Sequence, residues 1–152
     1  MKEVIIQFMK FDNITAKKSA LVNEITKRIY YAETDAGGIV YYGNLCNYIE
    51  MGCAEWFRKF AKPLKEITWK YSLFFVMKEV NLTYSKPVTY DNEITIRTLI
   101  KEIKYFSIKF STQILVNGEI CFSGENKMIP MDINTKKPVK IPEDILSLFD
   151  EI

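Results

Sequence analysis

The feature that most limits the fold of this chain is a single long amphipathic segment at residues 44–61. At about 100° per residue, its large apolar side chains and two cysteines fall within ~120° of one another on a helical wheel. We therefore predict one helix with one buried face, with Asn44 as its N-cap and Pro63 beyond its end. The predicted buried positions are Leu45, Cys46, Ile49, Cys53, Trp56, Phe57 and Phe60.

The sequence between Pro63 and the last residues is predicted to be strand only, in four long segments that alternate apolar and polar residues. Between two of them, the dipeptide Asn117-Gly118 predicts a two-residue hairpin turn. We predict an earlier strand at residues 27–31 and a short final helix that opens at Pro142. One helix against an antiparallel sheet of about five strands is an α+β architecture, and the lack of strand–helix–strand alternation excludes a doubly wound parallel sheet.

Composition excludes several classes of function. The chain has no histidine, which rules out every site that needs an imidazole base, nucleophile partner or metal ligand. Its 21 basic and 19 acidic residues leave a net charge of +2, so we expect no nucleic-acid partner. No apolar run approaches the ~20 residues that span a bilayer, and we expect no stable membrane insertion. Three cysteines without a Cys-x-x-Cys pair predict no zinc site and a reducing, cytoplasmic location.

The segment from Tyr30 to Asn44 is the candidate for chemistry. It places Asp35 in a glycine-bearing loop immediately before the predicted helix. The first N–H groups of a helix have no partner within it and lie at the positive end of its dipole, so they can bind an oxyanion. A carboxylate beside such donors is an arrangement for hydrolysis that needs no histidine. The alternative from the residues alone is that Asp35 only forms the turn or caps the helix.

Several landmarks of the sequence occur in the order known from one family. The landmarks before the helix are Tyr31, Thr34-Asp35, Gly38 and the pairs Ile39-Val40 and Tyr41-Tyr42. The helix itself contains Glu50 and Ala54-Glu55-Trp56. The landmarks after it are Tyr84, Pro87, Asp91, Ser107, Lys137-Pro138 and Ile141-Pro142. The pattern resembles the 4-hydroxybenzoyl-CoA thioesterase family of hot-dog-fold proteins. It is similar in particular to the acyl-CoA thioesterases associated with the bacterial Tol-Pal system.

The resemblance implies a hot-dog domain at residues 26–152, preceded by a variable extension at residues 1–25. In this fold a curved antiparallel sheet wraps around a long central helix, and the protein works as a homodimer or homotetramer. The resemblance also places the loop from Asp35 to Gly43 at the subunit interface, where Ser107 or Lys104 of the partner subunit could reach it. The implied activity is hydrolysis of an acyl-CoA thioester without cofactor or metal. Asp35 is the implied catalytic carboxylate, and the backbone N–H of Tyr42 the implied donor to the thioester carbonyl. The positions expected to bind substrate are Gly38, Val40, Tyr41, Asn44, Ser107 and Lys104.

Several alternatives stay open at this level. Asp35 could attack the thioester or activate water. Tyr42 stands where the Tol-Pal-associated proteins usually have histidine, which leaves a short, long or aromatic acyl group possible. Benzoyl-type members of the family have a basic run before the position of Ser107 that binds the phosphates of CoA. Few basic residues precede Ser107 here, so the carrier of the acyl group could be an acyl carrier protein in place of CoA. A hot-dog protein that binds acyl groups or partner proteins with little hydrolysis, and a ligand-binding β domain of another fold, are the remaining interpretations.

Overall fold

A computed structural model describes residues 21–150 of the chain. It contains five strands and three α-helices in the described part, and a 3-10 turn at Tyr31–Glu33 follows the first strand. In chain order these are β1 (Asn23–Arg28), α1 (Asn44–Phe60), α2 (Leu64–Tyr71), β2 (Leu73–Tyr84), β3 (Glu93–Lys104), β4 (Ser107–Val116), β5 (Glu119–Asp132) and α3 (Glu143–Asp150).

The five strands form one antiparallel sheet with the order β1-β3-β4-β5-β2. The sheet has β1 and β2 at its edges, and β2 is twice as long as β1. The predicted hairpin turn joins β4 to β5, and both of its residues have positive φ angles, 50° at Asn117 and 80° at Gly118. This geometry matches the right-handed twist of the flanking strands. The predicted hot-dog architecture is therefore present in the structure.

Helix α1 packs on the inner face of the sheet. Its closest approach is at Gly52, where a Cβ atom would lie 2.2 Å from Oγ1 of Thr98 on β3. Glycine in a helix interior costs about 1 kcal/mol relative to alanine. Here it lets the helix backbone lie directly on the sheet. The aromatic end of the helix, with Trp56 and Phe57, forms one core cluster against Phe110 of β4, with ring centroids 5.6 Å and 5.9 Å apart.

Two details of the predicted helix are wrong. Cys46 is exposed and Phe60 is only partly buried, whereas Tyr48 and Gly52 are buried together with the remaining predicted positions. The sheet therefore covers a face of the helix that is rotated slightly from the centre of the apolar arc. Asn44 is the first helical residue, and Gly43 occupies the N-cap without a side-chain cap. The side-chain amide of Asn44 donates instead to the backbone oxygen of Glu33, at 2.9 Å.

Other boundaries also differ from prediction. Helix α2 lies in a segment that we predicted to be strand; Pro63 is its N-cap and Ile67 is buried against the core. Strand β1 begins at Asn23 and ends at Arg28, so residues 23–25, which we assigned to the extension, belong to the sheet. Residues 1–20 of that extension lie outside the described residues. Among residues 21–150, no helix is long and apolar enough to span a membrane.

Candidate active site

The loop that contains Asp35 is a tight, internally bonded turn. Thr34 and Val40 form an isolated antiparallel bridge at its base. Inside it, the N–H of Asp35 donates to the oxygen of Ile39 at 2.9 Å, and the N–H of Gly38 donates to the oxygen of Asp35 at 3.0 Å. Gly38 has a φ of 75°, a conformation that costs other L-residues energy and glycine almost none. The loop therefore holds Asp35 in a defined backbone position.

Glu33 anchors this loop to the body of the protein. Its carboxylate accepts hydrogen bonds from the Lys27 ammonium, from the Tyr48 phenol at 2.7 Å and from the backbone N–H of Tyr30 at 2.8 Å. Its backbone oxygen accepts from the N–H of Tyr41 at 2.9 Å and from the Asn44 amide. One residue thus ties β1 and the start of α1 to both ends of the Asp35 loop.

The environment of Glu33 favours its charged form. Burial by itself raises the pKa of the Glu33 carboxyl, but the hydrogen bonds from Lys27, the Tyr30 N–H and Tyr48 together lower the pKa below its ordinary value. Burial, with the hydrogen bond to Glu33, raises the pKa of the Tyr48 phenol. Tyr48 therefore stays protonated and keeps donating to a carboxylate that stays ionised.

The start of α1 supplies free backbone donors. Within the described residues, no hydrogen bond uses the N–H groups of Tyr42 and Gly43, whereas those of Asn44 and Leu45 donate to the oxygens of Tyr41 and Tyr42. The unbonded N–H groups lie at the positive end of the helix dipole. The side chains of Tyr41 and Tyr42 are both exposed, with ring centroids 4.6 Å apart.

Asp35 and Tyr42 open onto one cleft with a volume of about 300 Å³, the Asp35 cleft. The Asp35 side chain is exposed, and its Oδ1 accepts a hydrogen bond of 2.7 Å from the N–H of Gly37. The cleft walls are mostly apolar and are formed by Ile39, Val40, Tyr42, Tyr84, Ser85, Lys86, Pro87 and Phe122. A carboxylate, unbonded N–H groups and apolar walls are the components that acyl-group hydrolysis needs.

Two aromatic residues of the cleft come from β2 and β5. The Tyr84 hydroxyl donates to the backbone oxygen of Tyr42 at 3.3 Å, which joins the end of β2 to the start of α1. The Tyr84 ring meets the Phe122 ring edge to face at 5.4 Å. Tyr84 belongs to the motif that carries the family resemblance, but neither aromatic residue is among the predicted site residues. The spacing Tyr84-x-x-Pro87 at a strand end was the available signal.

Comparison with known proteins identifies the family. A family model described as the thioesterase-like superfamily matches residues 31–149. The chain belongs to the thioesterase-like superfamily. The predicted resemblance is confirmed, and the enzyme class of this chain is that of a thioester hydrolase.

Relatives of known sequence match most of this thioesterase. Acyl-CoA thioesterase YbgC of Haemophilus influenzae is 26% identical over 125 residues, which cover 82% of this chain and 92% of that protein. Acyl-CoA thioesterase YbgC of Helicobacter pylori is 28% identical over 134 residues, covering 82% of this chain and 98% of that protein.

Solved structures confirm the hot-dog fold. DHNA-CoA thioesterase from Staphylococcus aureus superimposes with a TM-score of 0.77 at 22% identity, covering 86% of this chain and 88% of that one. A mutant 4-hydroxybenzoyl-CoA thioesterase in complex with 4-hydroxybenzoyl-CoA superimposes with a TM-score of 0.77 at 18% identity, covering 84% and 97%.

The thioesterase has a second cleft at the β3–β4 hairpin, the hairpin cleft, with a volume of about 750 Å³. Ser107 and Lys104 both line it, and their Cα atoms face each other across the hairpin. Lys140 lies over the Tyr105 ring, 5.1 Å from its centroid. Ser107 is 8% exposed, while Tyr105 and Phe106 project into solvent.

The structure groups the predicted site residues into three sets. Val40 and Tyr42 line the cleft with Asp35. Gly38, Tyr41 and Asn44 belong to the loop and its support and are not among the lining residues. Ser107 and Lys104 lie at the far end of β3, because the Asp35 loop pairs with Thr89, just before that strand begins. Twelve residues of strand separate the two ends by roughly 35 Å.

Proposed function

We propose that this protein is an acyl-CoA thioesterase in which Asp35 is the catalytic carboxylate and the N–H of Tyr42 binds the thioester oxygen. The observation that supports this most directly is the mostly apolar cleft that Asp35 and Tyr42 both line, together with the unbonded N–H of Tyr42 at the start of the helix. One such donor contributes about 3 kcal/mol to stabilising an oxyanion. The acyl-CoA thioesterases among its relatives support CoA as the carrier.

The reaction can follow either of two balanced routes. In one, Asp35 takes a proton from water, the water oxygen bonds to the carbonyl carbon, and the C–S bond breaks. The departing thiolate then receives the proton, which leaves a carboxylic acid and the CoA thiol. In the other, an Asp35 oxygen bonds to the carbonyl carbon as the thiolate leaves, and water hydrolyses the resulting anhydride. Single turnover in ¹⁸O-labelled water separates them, because only the anhydride route can place ¹⁸O in Asp35.

The position of the two clefts supports a site shared between copies. They lie at opposite ends of the sheet, so one copy does not bring Lys104 and Ser107 to Asp35. A two-fold axis that pairs sheet edges places the Asp35 end of one copy beside the opposite end of the other. We propose a homodimer in which the partner contributes the hairpin cleft. There, Lys104 and Lys140 would bind the phosphates of CoA.

The edge strand β2 is the proposed dimer contact. It is the longer sheet edge, with twelve residues, and its apolar side chains Met77 and Val80 are exposed. An open strand of this length is a template for pairing with a second copy. The free state of all three cysteines is consistent with the proposed cytoplasmic location.

Substitution of Asp35 by asparagine tests the catalytic assignment. The change preserves size and lies at an exposed loop position, so the fold should be kept. We expect kcat to fall at least 100-fold, which corresponds to about 2.7 kcal/mol of barrier. The matched control is Asp91→Asn, an exposed turn aspartate with a φ of 66° that asparagine tolerates. Retention of more than a tenth of the wild-type rate by Asp35→Asn would remove Asp35 from the mechanism.

A further inference from the structure

A small inner cavity lies between α1 and the sheet, directly behind the Asp35 cleft. Its volume is about 10 Å³, which is room for about one water molecule. Helix α1 contributes Leu45 and Ile49 to its walls. The remaining lining residues come from three strands and are Leu82, Thr112, Ile114, Phe122, Ser123 and Gly124.

Among residues 21–150, Phe122 alone lines both the Asp35 cleft and the inner cavity. It is 5% exposed, and the Tyr84 ring holds it edge to face on the cleft side. On the cavity side it packs with Ile114 and Leu45 in the second core cluster. Its ring therefore stands between the catalytic carboxylate and apolar space under the helix.

From this geometry we infer that Phe122 sets the upper limit on acyl length. The inference rests on the proposed function. A cleft of about 300 Å³ is at the small end of ligand sites, and it suits a short acyl chain or a single ring. A longer chain needs the apolar space behind it, and the inner cavity is too small to hold even a few methylene groups while Phe122 closes it.

Gly124 also affects the acyl length that the site can accept. A Cβ atom at this position would lie 2.6 Å from Cδ1 of Ile49 and 3.2 Å from Cδ2 of Leu82, both of which line the cavity. The glycine thus lets these two side chains pack directly against the backbone of β5. An alanine there would push them toward the cavity and reduce the space for a chain extending past position 122.

The test compares kcat/KM for butyryl-, octanoyl- and dodecanoyl-CoA between the wild type and Phe122→Ala. The wild type should prefer butyryl-CoA. Phe122→Ala should raise the ratio of octanoyl to butyryl kcat/KM by about tenfold or more, since each additional buried methylene contributes roughly fourfold. Phe122→Leu opens the wall less and should shift the ratio in the same direction by a smaller factor, which keeps the test decisive if Phe122→Ala does not fold.

Two further variants distinguish a local opening of the wall at Phe122 from a general loss of core packing. Phe110→Leu changes a fully buried phenylalanine of the other core cluster and should leave the chain-length ratio unchanged. Gly124→Ala, added to Phe122→Ala, should return the ratio toward the wild-type value. The inference is overturned if folded Phe122 variants keep the wild-type ratio, if Phe110→Leu shifts it equally, or if the wild type already prefers dodecanoyl-CoA. Absence of hydrolysis in the wild type would instead overturn the proposed function.

Discussion

The phenol of Tyr48, one turn into α1, donates a hydrogen bond of 2.7 Å to Oε1 of Glu33, two residues before Asp35. This bond connects the central helix to the loop that holds the candidate catalytic carboxylate. Lys27 of β1 donates to the same oxygen. Because Tyr48 is buried and Glu33 largely so, the contact is shielded from solvent. The Glu33 carboxylate thus joins the helix and the first strand to the loop.

Removing the phenol hydroxyl in Tyr48→Phe should cost about 1.5–3 kcal/mol of unfolding free energy, because the acceptor is charged. The ring itself, and its packing, are unchanged. Chemical denaturation of the wild type and variant measures the loss. In a Glu33→Gln background the same substitution should cost clearly less, and equal costs in the two backgrounds would show that the two side chains are not coupled.

The lowered pKa of Glu33 predicts a pH dependence of stability. A carboxyl whose folded pKa is depressed stabilises the fold above its unfolded pKa of about 4.5 and loses that contribution as the pH falls toward the folded value. The difference in unfolding free energy between wild type and Glu33→Gln should therefore be constant near neutrality and shrink below pH 4.5. Lys27→Met should show the same narrowing. A difference that stays constant down to pH 3 would contradict the ion pair.

The absence of histidine from all 152 residues predicts the shape of the pH–rate profile. In protein without a histidine tag, kcat/KM should show no limb near pH 6.5, the ordinary imidazole value. The profile is measured with a thiol-detecting assay at constant ionic strength. A clear limb near pH 6.5 would contradict this prediction.

The proposed dimer predicts a coupled loss of assembly and activity in Val80→Lys, which places a cation on the β2 edge. Sedimentation should show a monomer, and turnover should fall with it. Thr26→Lys, on the exposed edge strand β1, is the matched control and should stay dimeric and active. Full activity of a monomeric Val80→Lys protein would refute the β2 contact as a requirement for catalysis.

Complementation tests whether the partner supplies the hairpin cleft. Asp35→Asn and Lys104→Glu proteins should each be impaired, the second mainly through a raised KM for acyl-CoA. Mixed and re-equilibrated, they should regain part of the wild-type activity, because a hybrid dimer contains one site with both native residues. Mixtures no more active than the separate proteins would place Lys104 outside the shared site.

Local sequence patterns predicted much of the secondary structure of this protein. The arc of apolar residues on α1, the alternation along β3 and β4 and the Asn117-Gly118 turn correctly predicted the helix, these two strands and the turn from β4 to β5, because each depends on neighbours a few residues apart. The order of landmarks around Asp35 predicted the family. Short-range signals were misinterpreted at element boundaries, at Cys46 and over one whole helix. The eight residues of α2 were mistaken for strand, since Pro63 and a single buried Ile67 give a weak helical period.

Contacts between residues that are distant in the sequence depend on the tertiary structure. Glu33 and Tyr48 are 15 positions apart and Tyr42 and Tyr84 are 42 apart, so only the packing of the helix on the sheet brings them together. The same packing separates Lys104 and Ser107 from Asp35 within one copy. It also places Phe122 between a cleft and a cavity. Periodicity along a chain can indicate that a residue is buried, but the distance between segments is set by the fold as a whole.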